Sequence, residues 1–120
     1  MAITLTRVQK AADIICDKHE VPRIKIIGSN RRGSKGDAAY VTYRIRNKIT
    51  GKISPKNYPK YIVIYEWSGL SGLNDASELS YPLGHELAHH ILNIKKGNIR
   101  HTANFYTLAN KLDKQLSRLI

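Results

Sequence analysis

Tyr61-Ile62-Val63-Ile64-Tyr65-Glu66-Trp67 is dense in β-branched and aromatic residues and reads as a strand. Gly69, Gly72 and Asn74-Asp75 then break the pattern. A helix is predicted next, from about Ser77 or Ser80 to Asn93, with Pro82 tolerable in its first turn. It contains Leu83-Gly84-His85-Glu86-Leu87-Ala88-His89-His90-Ile91-Leu92-Asn93. With His85 at 0° on a helical wheel, His89 falls near 40°, while Leu83, Leu87 and Ile94 fall at about 160–200°. The histidine face is therefore opposite the apolar face, and Leu87 is predicted to pack against a sheet.

On the N-terminal side, Leu5, Val8, Ala12, Ile15 and Cys16 recur at helical spacing over 5–19, with Thr4 as N-cap and Val21-Pro22 as the stop. Ile24 to Ile27 and Tyr40 to Ile45 read as strands. Gly28 to Asp37 reads as a basic loop; Ser34 stands where a phosphate-binding loop requires lysine. Residues 49–52 read as a turn, and 54–60, with Pro55 and Pro59, as a second loop. On the C-terminal side, Lys95-Lys96-Gly97-Asn98 breaks the chain, and a last helix over about 101–119 carries the stripe Phe105, Leu108, Leu112, Leu116. Strands followed by helices, without βαβ alternation, predict an α+β fold: an N-terminal helix, a small three- to four-stranded sheet and two further helices.

The 120 residues make one domain, 1–120, because two would leave cores too small to hold. Lys plus Arg number 20 and Asp plus Glu 9, a net charge of +11 that suits a polyanionic partner. The surplus is uneven. Residues 20–61 hold eleven Lys or Arg against Glu20 and Asp37, whereas 62–94 hold none. No apolar run approaches the roughly 18 residues of a membrane span, and the first ten residues lack the apolar core of a signal peptide. With Cys16 as the single cysteine, no internal disulfide can form, and a cytoplasmic location is expected. Cys16 reads as a small buried residue.

The chemistry concentrates at His85-Glu86-Leu87-Ala88-His89. Two histidines at i and i+4 on a helix point the same way and can bind one metal, and neutral imidazole suits Zn²⁺. Glu86, about 100° round from His85, can reach a water on that metal and take its proton without itself ligating. His90 falls near 140°, beside the apolar stripe, and reads as a core histidine. The third ligand follows by elimination. Asp113 is the sole acid after Glu86, and Leu92 and Lys95 stand where a compact metal-binding pattern has glycine and histidine. His101 remains, placed to open the last helix on the face of Phe105. Three histidines leave a fourth position open, the catalytic arrangement.

His85-Glu86-x-x-His89 followed by His101-x-x-x-Phe105-Tyr106 resembles the SprT-like and WLM-type zinc metallopeptidases, a branch of the minimal zincins, over residues 61–112. Thr102 replaces the usual glycine after the third histidine. The segment from His85 to Leu92 is also similar to the ImmA/IrrE-type proteases, whose downstream glutamate ligand has no counterpart here. The resemblance implies a helix–sheet–helix–helix core and peptide-bond hydrolysis. Several SprT-like members are coupled to DNA, in keeping with the net charge.

The expected activity is therefore that of a single-zinc peptidase acting on a peptide or protein substrate. His85, His89 and His101 hold the metal, and Glu86 is the general base. Tyr106 and Tyr81, with Arg100 beside the third ligand, are candidate oxyanion stabilisers. Residues 61–67 are a candidate edge strand for an extended substrate, and Trp67 reads as a core anchor. One alternative is a basic nucleic-acid-binding domain with a structural or vestigial zinc. Arg31, Arg32 and Lys35, with Arg44, Arg46, Lys48 and Lys52, would then meet phosphates, and Tyr40 or Tyr43 would stack on bases. Another is a metal-dependent hydrolase of a non-peptide substrate, against which a one-metal site argues.

Overall fold

A computed structural model of the chain describes residues 3–32, 37–67 and 77–120. Among the described residues the fold is α+β, with three helices and one three-stranded sheet. In chain order the elements are α1 (Leu5–Lys18), β1 (Ile26–Gly28), β2 (Ala38–Tyr43), β3 (Tyr58–Ile64), α2 (Ser77–Lys96) and α3 (Ala103–Leu119). Lys35 and the predicted break at Gly69 to Asp75 lie outside the described residues.

Local chemistry sets the helix ends. Thr4 caps α1 by accepting from the Arg7 N–H at 3.2 Å, and Thr102 caps α3 by accepting from the Phe105 N–H at 3.2 Å. α2 runs on through Lys95-Lys96 and stops at Gly97, whose φ of 62° suits glycine. Pro82 falls in the second turn of α2, not the first, because the helix begins at Ser77.

The sheet order is β1-β3-β2, with β1 parallel and β2 antiparallel to β3. β3 is thus the central strand, which corrects the expectation that residues 61–67 form an edge. It also begins and ends earlier than predicted. Tyr65 to Trp67 turn away, with Glu66 at φ 53°, and their N–H groups donate to Asp37, Arg31 and Ser29 carbonyls. The turn lays Trp67 over Gly28, where a Cβ would stand 2.6 Å from Trp67 Cγ. Trp67 packs half-buried against the core, as expected of an anchor.

The core joins Val8, Ile15 and Cys16 of α1, Ile62 and Ile64 of β3, Leu83 and Leu87 of α2, and Phe105, Leu112 and Leu116 of α3. Ile94, predicted on the apolar face, is 37% exposed. Among the described residues, no helix is long and apolar enough to cross a membrane.

Candidate metal centre

α2 presents His85 and His89 from successive turns of one face while Leu83, Leu87 and Ile91 are buried opposite. The chain then reverses after Gly97, and Thr102 starts α3. His101 does not open that helix; it precedes the cap and is exposed, which corrects the inward helical placement expected for it. The reversal nevertheless returns its ring to the other two. Fully buried Phe105 underlies all three, with centroids 4.8 Å from His85, 4.4 Å from His89 and 5.0 Å from His101.

One ligand atom from each of His85, His89 and His101 lies within 4.8 Å of the others, and His89 Nε2 and His101 Nε2 are 3.0 Å apart. Tetrahedral zinc with bonds near 2.0–2.1 Å requires nitrogens about 3.3 Å apart. Burial, and then its two histidine neighbours, push His89 down to about 4. Burial followed by His101 also lowers His85. Both imidazoles are therefore neutral at neutral pH, the form that ligates a metal. Three neutral imidazole nitrogens gathered this closely could hold a metal ion, with a small closure of the set needed for tetrahedral zinc.

Glu86 stands outside that donor set and is buried beside it. Its Oε1 accepts from the backbone N–H of Tyr40 in β2 at 3.2 Å. Burial raises its carboxyl to about 7, with the Tyr40 N–H pulling the other way. A cleft of about 340 Å³ separates α2 from Ala38, Tyr40 and Thr42 of β2, and Ile99 closes one side.

Behind the cleft lies a polar network whose donors and acceptors are all determined. His90 Nε2 must donate to the Pro22 carbonyl at 2.7 Å, so its Nδ1 accepts from the Tyr40 hydroxyl at 3.0 Å. Asn93 Nδ2 donates to that hydroxyl at 3.0 Å and to the Asn57 carbonyl at 2.8 Å. His90 is the core histidine that its wheel position predicts, with 0% exposure. The Tyr40 hydroxyl is committed to this network, and its half-buried ring lines the cleft.

The remaining candidates are dispersed. Tyr81 is 52% exposed with its ring 6.5 Å from His85, and Tyr106 is 46% exposed with its ring 5.9 Å from His101. Both flank the triad, and neither lines the cleft. Arg100 is exposed. Arg31 and Arg32 are exposed beyond β1, at the Ala38 end of β2. The contribution of β2 to the cleft was hidden in the sequence, since Ala38, Ala39 and Thr42 carry no chemical signature. Comparison with protein-family models, with curated proteins and with solved structures found no match to this chain.

Proposed function

We propose that this chain is a zinc-dependent metallopeptidase, a minimal zincin of the SprT-like kind. The observation that carries the reading is the convergence of His85, His89 and His101 with the buried carboxylate of Glu86 beside them. Zn²⁺ held by the three imidazoles would supply a Lewis acid that lowers the pKa of water and polarises a peptide carbonyl.

The chain's own residues divide the remaining work. Glu86 takes a proton from the attacking water and delivers it to the leaving amine nitrogen, and a carboxyl near 7 suits both transfers. The Tyr40 N–H aims that carboxylate. β2, and not residues 61–67, is the sheet edge beside the cleft, so an extended peptide would add along Ala38 to Thr42 by main-chain hydrogen bonds. Tyr81 and Tyr106 stand close enough to the triad to serve as donors to a developing oxyanion after rotation.

The test combines elemental analysis with cleavage of an unstructured protein such as casein by the zinc-loaded chain. Wild type and Glu86→Gln should each retain about one zinc, and Glu86→Gln should lose about 10²–10⁴-fold in rate. His101→Ala should lose zinc. Full cleavage by Glu86→Gln would remove the general-base role, and a wild-type chain that takes up no zinc would remove the enzyme.

A further inference from the structure

β2 and β3 do not end the strand pairing. Beyond Tyr43 and Tyr58, residues 44–57 continue as a narrow two-stranded ribbon. It is held by Ser54 N–H to the Ile45 carbonyl (2.8 Å), Asn47 N–H to the Lys52 carbonyl (2.8 Å) and an Arg46–Ile53 bridge. Its tip is equally defined: Asn47 Oδ1 accepts from the N–H groups of Ile49 at 2.8 Å and Thr50 at 3.0 Å, and Gly51 turns at φ 71°. Every residue from 44 to 53 is exposed. Ile49 at the tip is 96% exposed. The ribbon carries Arg44, Arg46, Lys48, Lys52 and Lys56 and no acid. Among the described residues, none of these five cations has an ion-pair partner. The molecule measures 53 Å along its long axis against 29 and 22 Å across.

We propose that the 44–57 ribbon docks into the major groove of duplex DNA. That groove, about 12 Å wide, admits a two-stranded ribbon. Cations at 44 and 46 stand about 6.6 Å apart along one strand, with Lys48 following at the turn, and can meet the phosphates of one groove wall. Asn47 and Thr50 bring polar groups to the tip, and Ile49 brings an apolar group suited to a thymine methyl. The deep, narrow major groove of A-form RNA shuts such a ribbon out. A membrane surface fits less well. Ile53 pairs with Arg46 and shares its face, whereas Ile45 stands opposite Ser54 on the other face, so the isoleucines do not gather into one apolar face to insert. The proposal goes beyond the peptidase reading and needs no metal.

The sheet supplies its own control. Arg31 and Arg32 sit at the opposite end of β2 from the ribbon, about 17 Å away along the strand. The experiment is fluorescence anisotropy of the full chain with a labelled 20-base-pair duplex between 50 and 200 mM salt. Arg46→Ala/Lys48→Ala should weaken binding about tenfold or more. It should also reduce the log–log salt slope by about 2, the loss of two phosphate contacts. Arg31→Ala/Arg32→Ala should change affinity less than about threefold, with both pairs matching wild type by circular dichroism. Equal losses from the two pairs would make the charge effect diffuse and overturn the ribbon assignment. Absent duplex binding would also overturn it, as would tighter binding to duplex RNA or to anionic phosphatidylserine vesicles, or displacement by the minor-groove ligand netropsin.

Discussion

The Tyr40 hydroxyl does more for this molecule than its position in a short strand suggests. It donates to His90 and accepts from Asn93, tying β2 to α2, while the same residue's backbone N–H holds Glu86. Tyr40→Phe removes one oxygen and leaves His90 Nδ1 buried without a donor. The expected cost is about 1–3 kcal/mol, the penalty for an unsatisfied buried polar group, measured as a lower urea midpoint at unchanged m. An equal midpoint would show that the network carries no stability. Cys16 lies at the other extreme of reactivity. It is 0% exposed and burial pushes its thiol up to about 11, so the nucleophilic thiolate is scarce at neutral pH. Iodoacetamide should leave it unmodified in the native chain and modify it fully in guanidinium, as read by intact mass. Rapid native labelling would contradict this packing.

At the scale of elements, the centre depends on how closely α2 approaches α3. Gly84 sets that approach: a Cβ there would stand 3.0 Å from the Asp113 backbone nitrogen and 3.3 Å from the Ala109 carbonyl oxygen. Ser80, one turn earlier, donates to Asp113 Oδ1 at 2.5 Å. Gly84→Ala gains about 1 kcal/mol of helix propensity but must push two backbones apart, at about 1–3 kcal/mol. Net destabilisation is expected by urea unfolding, with weaker zinc uptake as α3 carries His101 outward; a stabilised variant would mean that α3 yields freely. Some of this architecture was legible beforehand because it is local. Thr4, Gly97 and the spacing of Leu83 and Leu87 act within a turn or two of themselves, and His85, Glu86 and His89 share one helix. Strand order was not legible. β3 is central because β1 and β2 both pair with it, and nothing within residues 61–67 records that. The apolar alternation continues through Trp67 although the backbone turns at Glu66. The Tyr40–Glu86 contact spans 46 residues and leaves no local pattern.

Across the whole molecule, the candidate ligands come from two places, α2 and the connection that precedes α3. That connection hangs from the end of α2 by Gly97 N–H to the Asn93 carbonyl at 2.9 Å and is tied within itself by Arg100 N–H to Asn98 Oδ1 at 2.8 Å and Thr102 N–H to the Arg100 carbonyl at 3.0 Å, while His101 itself is exposed. A metal joining His101 to His85 and His89 would therefore brace the end of α2 to the start of α3 and favour the folded state over the unfolded one. At a free zinc concentration 100 times Kd, mass action stabilises the fold by about 2.7 kcal/mol. An unfolding entropy of about 2.1 cal/mol/K per residue over 120 residues turns this into a rise in Tm of about 10 °C. Chelation should reverse the rise. His101→Ala should melt only a few degrees below the metal-free wild type, since its exposed ring loses just its rest on Phe105 and its contact with His89, and should gain far less from zinc. Differential scanning calorimetry of the two chains, with zinc and with chelator, separates the cases. A zinc-induced shift of the same size in both would place the third ligand somewhere other than His101, and would detach the 97–102 connection from the metal centre.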